Sequence, residues 1–129
     1  MPKSDKKKKI LVVDDAKFIR TRIKNIVEKM DFAEVIGEAS NGDEAFNKYK
    51  ELKPDLVTMD LVMPNSDGIK AIEKIMAFDK HAKIVVISAI GQEMSILEAT
   101  EKGAKDFINK PFKDEEILKT LERYLNVKK

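Results

Sequence analysis

The sequence predicts an α/β protein built on a single doubly wound, five-stranded parallel sheet with five helices. Three observations carry that expectation. Short apolar runs alternate five times with segments whose apolar residues return at helical spacing. The strongest runs are continuously apolar, as expected of strands covered on both faces. Four of the runs end in a residue suited to phosphate or metal chemistry. Ile10–Val13 leads into Asp14 and Asp15, Leu56–Met59 into Asp60, Ile84–Ile87 into Ser88, and Phe107–Asn109 into Lys110.

Taken in order, Ile10–Val13 opens the sheet, and Lys17–Met30 is a helix with Ile19, Ile23, Ile26, Val27 and Met30 on one face. Val35–Ala39 is a weaker strand, expected toward an edge. Asn41-Gly42-Asp43-Glu44 reads as a capping box, with Asn41 the N-cap and Glu44 reaching back. The helix it opens carries Ala45, Phe46, Tyr49 and Leu52 as its buried stripe. Pro54 stops that helix, and Leu56–Asp60 is the third strand. A turn with Pro64, Asn65, Asp67 and Gly68 leads to a helix that turns Ile69, Ile72, Ile75 and Met76 inward. Lys83–Ser88 is the fourth strand. Gly91 precedes a helix with apolar positions Met94, Ile96, Leu97 and Ala99, and Gly103 ends it. Ala104–Asn109 is the fifth strand. Asp114 begins the last helix, striped by Ile117, Leu118, Leu121 and Leu125.

Composition narrows the function classes. A chain of 129 residues fits one domain with a real core, and its 43% hydrophobic content is ordinary for a globular protein. No apolar run approaches a membrane span, and the polar stretch Met1–Lys9 is no signal peptide. The lack of cysteine excludes disulfides, thiolate chemistry and zinc–cysteine sites, and fits a cytoplasmic setting. Net charge is +2, but residues 1–9 hold five lysines against Asp5, which leaves the remainder at −2. The expected organisation is a basic flexible tail over 1–9 and one domain over 10–126. With no basic face to extend the tail, neither nucleic acid nor a membrane is an expected partner.

In open parallel sheets, ligands sit outside the carboxyl ends of the strands. Asp14, Asp15, Asp60, Ser88 and Lys110 all fall there. Clustered carboxylates repel one another, and Mg²⁺ relieves that repulsion with oxygen ligands while leaving room for phosphate oxygens. A carboxylate can also act as a nucleophile and form an aspartyl-phosphate. The Lys110 ammonium would then neutralise charge on phosphoryl oxygens, and Ser88 would hydrogen-bond the product. Each piece alone has an ordinary explanation: Asp-Asp after a strand is a common helix cap, and Lys-Pro a common turn entry. Recurrence at four strand ends is what points to a site. His81 has no such partner pattern.

These residues resemble the response-regulator receiver domain, and within that family its stand-alone chemotaxis form. The matching text is ILVVDDAKFIR at 10–20, DLVTMDLVMPNSDG at 55–68, IVVISA at 84–89 and GAKDFINKPF at 103–112, and the resemblance spans residues 9–126. It implies the flavodoxin-like strand order 2-1-3-4-5, which is inherited from the family and not read from spacing. It further implies a phosphoprotein of a two-component signal-transduction system. Asp60 would take a phosphoryl group from a phosphohistidine on a sensor histidine kinase. Asp14, Asp15, Asp60 and the backbone carbonyl of Val62 would hold Mg²⁺. Lys110 would contact the acyl phosphate, with a cis bond to Pro111. Ser88 and Phe107 would be the switch pair that remodels the face of the fourth helix, fifth strand and fifth helix.

The expected function is therefore a monomeric, phosphorylation-controlled binding switch in chemotaxis, not an enzyme. Its expected partners are the kinase, a flagellar switch or adaptor protein, and a phosphatase. Four positions depart from the family pattern. Ser66 replaces an apolar residue before Asp67-Gly68, and Phe107 lacks a tyrosine hydroxyl. Val62 and Ile90 are apolar where faster-hydrolysing relatives carry an amide or acid, so a slowly decaying phosphoform is expected.

Two alternatives stand beside this reading. One is an intermediate phosphorelay carrier that hands the phosphoryl group to a histidine phosphotransfer protein. The other is an aspartyl-phosphate hydrolase of the haloacid-dehalogenase type. The latter needs a second acid two residues after the nucleophile, where this chain has Val62. Dinucleotide glycine spacing is absent, and Asp43 stands where a P-loop lysine belongs. A fused DNA-binding output domain is not expected, because the chain ends at Lys129.

Overall fold

The computed structural model describes residues 7–63, 66–89 and 93–125. Five parallel strands form the sheet: β1 (Lys8–Val13), β2 (Ala33–Ala39), β3 (Leu56–Met59), β6 (Ile84–Ala89) and β7 (Asp106–Lys110). Their spatial order is β2-β1-β3-β6-β7, which is 2-1-3-4-5 when only these five are counted. The helices are α1 (Lys17–Glu28), α2 (Gly42–Leu52), α3 (Gly68–Phe78), α4 (Glu93–Glu101) and α5 (Asp114–Leu125). Two further short strands, β4 (Val62–Met63) and β5 (Ser66–Asp67), pair antiparallel where the sequence suggests only a turn. Among the described residues no helix is long and apolar enough to cross a membrane.

Strand pleating explains the continuous apolar runs. Leu11, Val13, Val57, Met59, Ile84 and Val86 face one core, completed by α2, α3 and α4 through Tyr49, Ile72, Ile75 and Ile96. Ile10, Val12, Leu56, Val85, Ile87 and Ile108 face the other, completed by α1 and α5 through Ile23, Val27, Ile117 and Leu121. Both faces are covered, so no polar alternation is possible. Ile72, Ile75 and Leu121 are essentially inaccessible, and each such side chain contributes roughly 2 kcal/mol through burial.

Several boundaries shift for identifiable reasons. β1 begins at Lys8, whose N–H donates to Phe32 O, and pairs outward with β2, an edge strand as expected. Asn41 caps α2 by accepting the Glu44 N–H at 2.8 Å. Glu44 reaches back one residue further than a simple capping box, to the Ser40 N–H at 2.7 Å. That bond holds the Glu44 carboxyl below its usual range. Lys53 adopts the left-handed conformation (φ 49°) and closes the helix on the Tyr49 carbonyl. The following Pro54 disfavours a right-handed residue there, so the stop takes effect one position early. β7 begins at Asp106, not Ala104, and runs through to Lys110 itself.

α4 departs most from the sequence pattern. Ile96 and Ala99 are buried, but Met94 is 79% and Leu97 55% exposed. Among the other described methionines, Met30, Met59 and Met63 are buried, and Met76 packs against a core.

Candidate functional site

Sheet register brings the strand ends together. Val13 is level with Met59, so Asp14 and Asp60 are the next residues out on adjacent strands. Their backbones continue the ladder: Asp14 N–H donates to Ala39 O and Asp60 N–H to Val13 O, each at 3.0 Å. Met59 is level with Val86, and Ser88 and Ala89 with Asn109 and Lys110. All five residues singled out at the strand ends thus lie along one edge of the sheet. Gly68 completes this arrangement. A Cβ there would collide with the Asp60 carbonyl oxygen and lie 2.7 Å from Leu61 Cα, so only glycine lets α3 start against this backbone.

Asp14, Asp15 and Asp60 each present a carboxylate oxygen within 4.8 Å of the others. Asp14 and Asp60 are buried, and Asp15 is exposed. Asp14 Oδ1 accepts the Ala16 N–H at 2.9 Å, and its Oδ2 accepts from Lys110 Nζ at 2.8 Å. The same ammonium stands 3.7 Å from Asp60 Oδ2. Three clustered carboxylates, two of them beside one ammonium, leave excess negative charge in a half-buried pocket. Hard oxygen donors of this kind fit Mg²⁺, which commonly uses one or two carboxylates and keeps sites open for phosphate or water.

Ser88 is fully buried, and its hydroxyl has no hydrogen-bond partner among the described residues. Buried hydroxyls are nearly always satisfied, so one left unpaired at the rim of an acidic pocket marks a position where an acceptor is expected. The Thr58 hydroxyl, level with Val85 and so three residues below Ser88 in the sheet, is likewise buried and unpaired among the described residues. The Lys110–Pro111 peptide is cis, as the family resemblance implies. Phe107, level with Val86, is 46% exposed.

Val62 lies in β4, paired with Asp67, while its side chain falls outside what the structure describes. Ile90, Gly91, Pro64 and Asn65 lie outside the described residues, as does the Ser66 side chain. Sequence reasoning gave Arg20 no role. Its guanidinium donates to the Asp14 carbonyl at 2.7 Å and to Glu38 Oε1 at 2.9 Å. The available signal was its position three and seven residues before the buried Ile23 and Val27, which places a cation at the edge of an apolar stripe.

The profile of the response regulator receiver domain family matches residues 10–122. The chain is 54% identical over 115 residues to the chemotaxis protein CheY of Listeria monocytogenes, covering 89% of this chain and 96% of that one. It is 53% identical over 116 residues to the chemotaxis protein CheY of Thermotoga maritima, covering 90% and 96%. Among solved structures, a CheX–CheY–BeF₃–Mg²⁺ complex from Borrelia burgdorferi superimposes with a TM-score of 0.85 at 36% identity, covering 94% of this chain and 90% of that one.

Proposed function

This chain belongs to the response regulator receiver domain family, and from that premise we propose that it is a phosphorylation-controlled binding switch of a chemotaxis two-component system. The observation that carries the reading is the meeting at one sheet edge of the Asp14–Asp15–Asp60 group with Lys110 and the Ser88 hydroxyl, which has no partner among the described residues. Asp60 is the phosphoryl acceptor: buried at the end of β3, its carboxylate is the nucleophile toward a phosphohistidine on a sensor kinase. Asp14, Asp15, Asp60 and the Val62 carbonyl are the Mg²⁺ ligands. The bound ion supplies charge neutralisation for the phosphoryl oxygens.

Lys110 contributes the second positive charge, moving from Asp14 toward the acyl phosphate. Ser88 donates its hydroxyl to a phosphoryl oxygen and so gains a partner that it lacks among the described residues. Phe107 follows inward, which changes the surface that Met94, Leu97 and Phe107 present. Exposed apolar side chains suit docking of a flagellar switch or adaptor protein better than onward phosphoryl transfer. The setting is the cytoplasm. A solved relative in complex with CheX, BeF₃ and Mg²⁺ supports both the metal and a protein partner for this class of site.

The test is labelling with radioactive acetyl phosphate and Mg²⁺. Wild type should take up label, Asp60→Asn should take up none, and excess EDTA should block uptake. Labelling of Asp60→Asn would overturn the assignment. The apolar Val62 and Ile90 leave attacking water unheld, so Val62→Asn with Ile90→Glu should speed phosphoform decay by roughly ten- to a hundredfold. Equal decay rates would remove these two positions from control of hydrolysis.

A further inference from the structure

Asp14 is tied at every polar atom. Its N–H donates to Ala39 O, its two carboxylate oxygens accept from Ala16 N–H and Lys110 Nζ, and its carbonyl accepts from Arg20 at 2.7 Å. The last bond has a built support. Arg20 Nε donates at 2.9 Å to Glu38 Oε1, and Glu38 sits on the edge strand β2 with its own carbonyl accepting from Lys48 Nζ. The Arg20 side chain is only 15% exposed. With Glu38, Ser40, Glu44 and Lys48 it lines a polar cleft of about 260 Å³ beside the acidic pocket.

The Asp14 carbonyl belongs to the same planar peptide unit as the Asp15 N–H. Pinning that oxygen fixes the plane in which the chain enters Asp15, and with it the direction of the Asp15 Cβ. Asp15 is exposed, so it lacks the packing that holds Asp14 and Asp60 in place. Its aim depends on the backbone.

We propose that Arg20 is a positioning residue for the acidic pocket, its guanidinium clamping the Asp14–Asp15 peptide so that three carboxylates converge on one divalent cation. The inference rests on the metal-binding reading of that pocket. A planar guanidinium can serve two acceptors at fixed angles, which a single ammonium cannot do.

Charge alone makes the opposite prediction. Arg20 is a cation near the pocket, so by Coulomb's law its removal strengthens Mg²⁺ binding, and neutralising Glu38 weakens it. The clamp reverses the first sign and cancels the second. Arg20→Met frees the peptide and weakens binding. Glu38→Gln keeps an amide oxygen for the Nε–H and leaves binding as it was.

The experiment is calorimetric titration of the full chain with MgCl₂, with thermal unfolding to establish that each variant is folded. Arg20→Met should raise the Mg²⁺ Kd roughly tenfold, the lower end of what losing a support to a metal ligand costs. Glu38→Gln should match wild type. In the metal-free protein, the amide NMR signals of Asp14, Asp15 and Ala16 should move in Arg20→Met while those of α5 stay. Unchanged or tighter binding by Arg20→Met overturns the clamp and leaves the metal reading intact. Failure of wild type to bind Mg²⁺ overturns both. Should Arg20→Met not fold, Arg20→Lys carries the test: the clamp predicts weaker binding, and charge alone predicts none of that loss.

Discussion

The Lys110 ammonium donates a 2.8 Å hydrogen bond to Asp14 and stands 3.7 Å from Asp60, so one lysine serves two buried carboxylates unequally. Removing it leaves both acids without that charge. Lys110→Met should cost about 3 kcal/mol of stability in EDTA, the low end for breaking a buried ion pair, since Lys110 is itself partly exposed. Millimolar MgCl₂ should recover much of the loss, because a ligand that binds only the folded state stabilises it. Urea denaturation with and without MgCl₂ measures this. Equal losses in both conditions would mean that the cation and the ammonium do not share the pocket.

Ser88→Ala should cost nothing, or stabilise slightly, in the unphosphorylated protein. The substitution deletes a buried hydroxyl with no partner among the described residues, and so removes an unpaid desolvation. Phosphorylation at Asp60 should persist while partner capture by the beryllofluoride–Mg²⁺ form is lost. A phosphoform of Ser88→Ala that binds as tightly as wild type would refute the role of this hydroxyl.

The two adjacent aspartates should respond differently to amidation, although the sequence treats them alike. Asp15 is exposed and adds repulsion to the acidic group, so Asp15→Asn should raise metal-free stability by roughly 0.5 kcal/mol. Asp14 accepts from both Ala16 N–H and Lys110, so Asp14→Asn should bring no such gain. Both should weaken Mg²⁺ binding. Thermal melts in EDTA beside Mg²⁺ titrations separate the two effects.

Tyr49 offers a pH-dependent test away from the site. Its hydroxyl donates to Asp79 Oδ2 at 2.8 Å and ties α2 to the segment after α3. Burial first, then the Asp79 carboxylate, raise the Tyr49 pKa, so the phenol stays neutral well into the alkaline range. The Asp79 carboxyl is held below its usual value by the His81 N–H first and by the Tyr49 hydroxyl second. A lowered carboxyl pKa means stability present above the unfolded value of 3.8 and lost as pH falls through the folded one. Tyr49→Phe should therefore cost about 1–2 kcal/mol near neutrality, and less as acid protonates Asp79. A penalty near zero at neutral pH would show that the hydroxyl makes no such bond in solution.

Local sequence pattern already specifies the class of fold, the five strands and five helices of the main layers, and the polar residue at the end of four of those strands. These are one-dimensional properties: apolar periodicity and a polar stop are written in neighbouring residues, and parallel pairing aligns the stops whatever the details of packing. Tertiary structure decided what depends on residues far apart in the chain. The level pairing of Val13 with Met59 and of Ala89 with Lys110 sets the depth of the pocket. It also puts Lys110 closer to Asp14 than to Asp60. Met94 and Leu97 satisfy a helical pattern yet face outward, because burial depends on what covers a helix and not on its spacing. Arg20 reads in sequence as one more charge on an amphipathic helix. Only the approach of Glu38 from β2 and of the Asp14 carbonyl from β1 turns it into a fixed part of the site, since a hydrogen bond needs both partners placed to within tenths of an ångström.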